Sequence, residues 1–451
     1  MFENIIEQGA VHQLGDDIIN HRAAPSMQFF GPSYSGKSSA ALELARVLSC
    51  EKDSAWKCAC PSCEKHRLLM HDDLLLLTNR SLLPVITACK SAFLRNPSNV
   101  NSRLVFYRSL RKLLISFSPV IMEDDPKLPK INSVLQSLDE KLSEYRAVSE
   151  SRADGEKLAK YCDSMIKDAV SLEKDGFSSI ITIGQIRRAS MWCRLAPNGK
   201  HKTLIIENAE NMRDEGRNSL LKLLEEPPSS VSIVLTAQRR ESIMPTILSR
   251  LRPYRFLKRS EESEKIIIRK VFQDSTDKKS VKAGSSLINA YLDSFLSGRS
   301  EKLEAAAAWF VISIARIASL RAANNGMDKD AARGGGASVF LYAAEERYAQ
   351  IAGSAGLEQS IKSAYLVKTL LAMLDNFKDD SFARFLKICL DIVSDVTRAI
   401  NKPQFSAYND VFKKYIGEAV TAVNVLNMNA AIMLESLIYK LKTALVRGGY
   451  G

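Results

Sequence analysis

The chain has 451 residues, 46% of them hydrophobic, and a formal net charge of +12. That length exceeds one compact core and predicts two to four domains, each with enough apolar residues to bury an interior. The basic balance favours an anionic partner, nucleic acid rather than membrane, because no segment offers a membrane-length apolar run.

The chain opens Met1-Phe-Glu-Asn-Ile-Ile-Glu7, without the basic start and apolar stretch of a secretory signal, so a cytoplasmic location is expected. Disulfides are rare in that compartment, and the eight cysteines need another reason. Met27 to Phe30 is a short apolar run that ends at Gly31-Pro-Ser-Tyr-Ser-Gly-Lys37-Ser38, and from Ser38 to Ser49 the residues Leu42, Ala45 and Leu48 recur at helical spacing. The spacing predicts strand, loop and helix. The pattern G-x-x-x-x-G-K-[ST] puts glycine where backbone N–H groups must curl around phosphates and lysine where a mobile cation must reach them. Gly31, Gly36 and Lys37 fill those positions, Ser38 offers a hydroxyl to magnesium, and Ser33, Ser35 and Ser39 complete the expected nucleotide-contacting set. The helix that starts there points its positive end at the anion.

Cys50, Cys58, Cys60 and Cys63 follow as C-x7-C-x-C-x2-C on the loop leaving that helix. Four thiolates in so short a span can close a tetrahedral zinc site, with His66 and His71 as nearby substitutes; with no ligand position open, the zinc is expected to be structural. Further apolar runs at Asp73 to Leu77, Thr203 to Ile206 and Val231 to Leu235 predict buried parallel strands, hence an α/β domain. Residues 80–175 interrupt this pattern with a charge-rich helical insertion. From 259 onward only helical periods continue, with a loose loop expected from Asn324 to Ser338. Ala305 to Leu320, apolar but short and carrying Arg316, reads as a buried helix.

Several blocks then resemble the clamp-loader subunits of bacterial DNA polymerase III, AAA+ proteins that open the ring-shaped sliding clamp. Ile5-Ile-Glu-Gln8, Phe30-Gly-Pro32, His71-Asp-Asp-Leu74 and Ile183-Gly-Gln-Ile-Arg187 are similar to successive family blocks. The most specific are Asn218-Ser-Leu-Leu-Lys-Leu-Leu-Glu-Glu-Pro-Pro228 and Pro245-Thr-Ile-Leu-Ser-Arg250. The resemblance implies an AAA+ core at 1–79 and 176–258, a helical lid at 259–300 and an all-helical collar for oligomerisation at 301–451. The insertion at 80–175 has no recognised counterpart. The Ser249-Arg250-Leu251 block stands where the family has Ser-Arg-Cys, which implies that Arg250 is an arginine finger reaching a neighbour's ATP. Arg187 and Arg188 are implied to face primed DNA through sequence-independent phosphate contacts. The zinc spacing is one residue out of register at Cys58.

Within this group the third strand separates motor from stator. It ends Leu204-Ile-Ile-Glu207-Asn208-Ala-Glu210, where an active subunit carries an acidic pair for magnesium and for the attacking water. Glu207 can still hold a metal-bound water, but Asn208 cannot accept a proton. The resemblance is therefore to delta-prime. It implies binding of ATP or ADP with magnesium without certain hydrolysis, no polymerase activity, and partners that are the gamma/tau and delta subunits, the sliding clamp and primed DNA. The alternatives are an active gamma/tau motor and an unrelated phosphate-loop kinase.

Overall fold

A computed structural model of the chain describes every residue except 151–154, 179, 275–285, 325–335, 354–362, 374–380, 403–404, 425–429 and 447–451. The chain divides into two compact units, Met1–Phe295 and Leu296–Gly451.

The first unit runs α1 (Gly9–Ile19), β1 (Ser26–Phe30), α2 (Lys37–Leu48), α3 (Pro61–Arg67), β2 (Leu74–Leu77), α4 (Leu83–Arg95), α5 (Val100–Ser116), α6 (Pro119–Met122), α7 (Leu128–Glu150), α8 (Gly155–Gly176), α9 (Ile183–Arg194), β3 (Lys202–Ile206), α10 (Asp214–Glu225), β4 (Val231–Ala237), α11 (Pro245–Leu248), β5 (Arg252–Arg255), α12 (Glu261–Phe272) and α13 (Leu287–Asp293). Its sheet is wholly parallel in the order β2-β3-β4-β1-β5. Successive residues alternate between two buried faces, as the period of a pleated strand requires. Met27, Phe29, Leu74, Leu76, Ile205, Val234, Tyr254 and Phe256 pack with α1 and α2 on one side. Leu75, Leu77, Leu204, Ile206, Ile233 and Leu235 pack with α9 and α10 on the other. The connection from β1 returns at β2, on the far side of β4 and β3, so the carboxyl end of β1 lies at a crevice of the kind that receives ligands in open α/β sheets.

Two buried polar contacts hold the edge strand β5 to the chain's start. Asp17 of α1 accepts from Tyr254 Oη at 2.8 Å and pairs with Arg252 at 2.7 Å. The Gln8 amide both donates to Leu257 O (3.0 Å) and accepts from Leu257 N (2.9 Å), as a neighbouring strand would.

Helices α4, α5, α7 and α8 of the 80–175 segment form their own apolar cluster around Phe93, Phe106, Leu138 and Met165, and the cluster takes in Ile268 and Phe272 of α12 and Ile288 and Leu292 of α13. The segments expected as separate insertion and lid thus share one interior. Glu173 of α8 accepts the N–H groups of Leu82 (2.6 Å) and Leu83 (3.0 Å), placing an anion at the start of α4, where the helix leaves donors unpaired.

The second unit is helical: α14 (Ser297–Asn324), α15 (Gly336–Gly353), α16 (Ser363–Met373), α17 (Ser381–Ile400), α18 (Ser406–Asn424) and α19 (Ala430–Val446). Within α14, Leu303–Arg321 is long and apolar enough to cross a membrane by length and composition, yet 78% of it is buried against its neighbours. Most of the loop expected at Asn324 to Ser338 lies outside the described residues. On α19, Leu434, Leu437, Ile438 and Leu441 are buried as the stripe predicts, whereas Ile432 is 59% exposed.

Candidate nucleotide site

The loop from Gly31 to Lys37 joins β1 to α2 through two left-handed glycines. Gly31 has φ +147°, and a Cβ there would lie 2.1 Å from Phe256 O; Gly36 has φ +103°, and a Cβ would lie 2.7 Å from an Arg259 nitrogen. Only glycine fits either position without strain. Lys37 folds across the loop and donates to Gly31 O and Pro32 O, both at 2.6 Å. Burial and the Arg80 charge bring its pKa down to about 8, against the opposing pull of Glu210 and Glu207. Ser35 Oγ closes the turn by donating to Pro32 O at 2.8 Å. Ser38 is half-buried at the start of α2, while Ser33 and Ser39 are exposed. Arg259, just before α12, donates to Tyr34 O at 2.6 Å, and Arg80, just beyond β2, stacks 4.8 Å over the Tyr34 ring.

Glu207 stands at the carboxyl end of β3, 2% exposed, and its Oε1 accepts from Lys112 Nζ at 2.7 Å. Lys112 comes from α5, inside the segment expected as an insertion. Burial alone would raise the Glu207 pKa, but the charges of Lys112 and Arg80, with the nearby Ser38 hydroxyl, hold it near 2. The carboxylate expected to serve magnesium is therefore ionised and already neutralised by an internal ammonium. Its other oxygen, Oε2, is buried without a hydrogen-bond partner, so the carboxylate could still accept from a metal-bound water.

Asn208 adopts the left-handed conformation (φ +50°), which asparagine tolerates better than most residues. Its N–H donates to Thr236 Oγ1 of β4 at 3.2 Å and its amide to Asn79 Oδ1 at 3.4 Å. The carboxamide is held by neighbours and offers no proton acceptor of useful basicity. Another carboxylate near Lys37, Glu210, accepts from Gln238 N at 3.1 Å.

Beyond the far end of α2, the sulfurs of Cys50, Cys58, Cys60 and Cys63 lie within 4.8 Å of one another, all buried. The Cys50–Cys58 and Cys50–Cys60 separations are 3.6 and 3.9 Å. Four sulfurs about 2.3 Å from a tetrahedral zinc lie about 3.8 Å apart, so the cluster fits the ion and could bind it. The spacing shift at Cys58 does not remove it from the group. Burial raises the Cys50 thiol, but N–H donors from Lys52 and Ser54 and its sulfur neighbours bring it down to about 7. Arg46 donates to Cys63 Sγ at 3.0 Å and is itself held by Glu43, a buried pair on α2 that couples the cysteine loop to the phosphate loop's helix. His66 and His71 stack on each other, 4.1 Å between centroids, outside the sulfur group.

Arg250, after α11, is paired with Glu225 at 2.6 Å and donates to Thr246 O; it is one-third exposed. Arg187 on α9 is exposed, whereas Arg188 donates its Nε–H to Ile121 O of α6 at 3.0 Å. The start of α9 is fixed by reciprocal bonds between Thr182 and Gln185.

The structure adds Arg80, Lys112 and Arg259 to the surroundings of the loop. Arg80 carried a usable signal, since it directly follows a predicted parallel strand, where α/β proteins place their ligands. Lys112 carried none, being one of many cations in a helical stretch.

Sheet order, loop and crevice define a phosphate-loop α/β protein with a helical second unit. Residues 132–260 match the model of a family described as DNA polymerase III, delta subunit; the match includes Glu207, Arg187 and Arg250 and excludes the phosphate loop, the four-cysteine cluster and Lys112. It supports a clamp-loader-type AAA+ protein. The chain is also similar to a DNA polymerase III gamma subunit-related protein of Thermotoga maritima, with 16% identity over 59% of this chain and 81% of that one, at a TM-score of 0.25. A score that low leaves the fold assignment to the sheet order and loop described above. No curated protein matches the chain.

Proposed function

We propose that the chain is a delta-prime-like stator of a DNA polymerase III clamp loader, which holds nucleotide without turning it over and acts on a neighbouring ATPase subunit. The observation that carries this reading is the end of β3. Its base position is an asparagine bound to Asn79 and Thr236, and its acidic position, Glu207, is paired with Lys112. A site so arranged can cradle phosphates through Gly31 to Ser38, while the residue at its base position cannot accept a proton.

In this reading Arg250 is the finger. Its bond to Glu225 is exposed and weak enough to exchange for a neighbour's γ-phosphate. The cysteine cluster holds structural zinc, the helices from 301 onward form the collar, and the protein works in the cytoplasm with gamma/tau, delta, the sliding clamp and primed DNA. Arg187 is the better placed of the two candidate DNA contacts, because Arg188 is engaged with Ile121. Reconstitution with the gamma/tau and delta subunits of the same organism tests the reading: the chain co-elutes with them, and Arg250→Ala lowers DNA-stimulated ATPase of the mixture at least about tenfold. No co-elution, or unchanged ATPase, overturns it.

A further inference from the structure

Tyr34 differs from the rest of the phosphate loop in its backbone. It lies between the two glycines with φ +59°, the left-handed region that a ringed side chain enters only under strain. Two contacts hold it there. Arg259 donates to Tyr34 O at 2.6 Å, and the Arg80 guanidinium lies 4.8 Å over the Tyr34 ring, which also packs against the apolar cluster of the helical body. Arg80 comes from the far side of the crevice. Leu77 of β2 stands opposite Ile206 of β3, Glu207 N donates to Leu77 O at 2.8 Å, and Arg80 lies just beyond Leu77 in the chain. The Arg80–Tyr34 stack therefore bridges the end of β2 and the loop after β1, strands that β3 and β4 separate in the sheet. The other cations around the loop are engaged: Lys37 donates to Gly31 O and Pro32 O, Lys112 is paired with Glu207, and Arg259 is bound to Tyr34 O and faces Glu264 and Glu7. The Arg80 guanidinium makes no ion pair or hydrogen bond among the described residues, and the Tyr34 ring is what orients it.

We propose that Arg80 is the residue by which this site distinguishes a nucleoside triphosphate from a diphosphate, its guanidinium binding the terminal phosphate from the position that Tyr34 gives it. This rests on the nucleotide-holding reading above and deepens it. In phosphate-loop proteins the loop cradles the inner phosphates, while the end of the acidic strand faces the terminal one. Arg80 approaches from beside that strand end, so the phosphate that ATP has and ADP lacks falls to it. A guanidinium suits the role, because its planar fork can make two parallel bonds to phosphate oxygens while its face rests on an aromatic ring. The charges agree with the geometry. Arg80 lies close enough to Lys37 to add to the effect of burial in lowering the lysine's pKa. An anion placed between the two cations replaces that repulsion by attraction to both. Glu207 Oε2 stays open to a metal-bound water in this arrangement.

The test is calorimetric titration of the purified full-length chain with ATP and with ADP in millimolar magnesium, for wild type, Arg80→Ala, Tyr34→Phe and Tyr34→Ala. Arg80→Ala is expected to raise the Kd for ATP about tenfold or more and the Kd for ADP less than about threefold. Tyr34→Phe keeps the ring and is expected to bind both nucleotides as wild type does. Tyr34→Ala keeps a side chain at the same φ but removes the ring, and is expected to lose at least about threefold for ATP and less than that for ADP. The ADP titrations separate a lost phosphate contact from a damaged loop, which would weaken both nucleotides. Arg80→Ala that weakens ATP and ADP alike, or neither, overturns the assignment while leaving nucleotide binding intact. Tyr34→Ala that binds as wild type overturns the positioning role of Tyr34. Absence of binding of either nucleotide by wild type overturns the nucleotide-holding reading and this inference with it.

Discussion

Lys112 Nζ lies 2.7 Å from Glu207 Oε1, a contact between residues 95 apart in the chain. It joins the helical 80–175 segment to the strand end where phosphate-loop ATPases keep their metal, and both partners are largely buried. Breaking it from one side is expected to be costly. Lys112→Met should lower unfolding free energy by about 3–5 kcal/mol, because an ionised carboxylate is left in low dielectric, whereas Lys112→Met/Glu207→Gln should recover most of it. Urea unfolding of the two variants and wild type measures the difference. Equal stability of the single and double variants would show that the pair is not coupled.

Lys37 sets a pH limit on phosphate binding. Its pKa is lowered to about 8, chiefly by burial, so the folded chain gives up this proton more readily than the unfolded one. Between about pH 8 and 10.5 the unfolded state binds more protons, and this residue's contribution to stability rises with pH. Phosphate affinity runs the other way, because only the charged lysine binds. Nucleotide affinity is expected to hold to about pH 8 and then fall, by at most about tenfold per pH unit. Lys37→Arg, which stays charged, should lack that fall. A fluorescent-nucleotide titration from pH 7 to 10 shows whether the two curves separate.

The cysteine cluster should carry one metal per chain. Purified protein is expected to contain about one zinc, released by chelation with a fall in melting temperature, since a thiolate-bound zinc supplies stability to a loop with little apolar interior of its own. Cys58→Ser should lose metal as fully as Cys50→Ser, because the two sulfurs lie 3.6 Å apart in one group. Elemental analysis of both variants decides whether the out-of-register cysteine is a ligand.

Glu225 is expected to matter little to the isolated chain. The Arg250–Glu225 pair is exposed on both sides, so Glu225→Ala should cost less than about 1 kcal/mol in thermal unfolding. In the assembled complex the same change should leave Arg250 function intact, and loss of ATPase stimulation would mean that Glu225 itself acts at the interface.

Much of the first unit could be read from residue order alone. Gly31 and Gly36 are dictated by backbone geometry local to eight residues, and apolar runs such as Leu204-Ile-Ile206 announce buried strands. β5 was not predicted, because Arg252-Pro-Tyr-Arg255 is an edge strand with two charges and a proline, held by Asp17 from the start of the chain. The zinc register is a matter of space, not of counting: the Cys58 sulfur joins the other three although its spacing differs. Lys112 was illegible for a different reason. Nothing local distinguishes it from the other cations of α5; only its tertiary contact with Glu207 does.

The central claim is that this chain holds nucleotide and does not cleave it, and single-turnover hydrolysis of γ-labelled ATP by the purified chain alone, beside Lys37→Ala, tests that most directly. The account expects phosphate release indistinguishable from the Lys37→Ala background. Release well above that background, abolished by Lys37→Ala, would make the chain a motor and contradict the reading of Asn208 and of the Lys112–Glu207 pair.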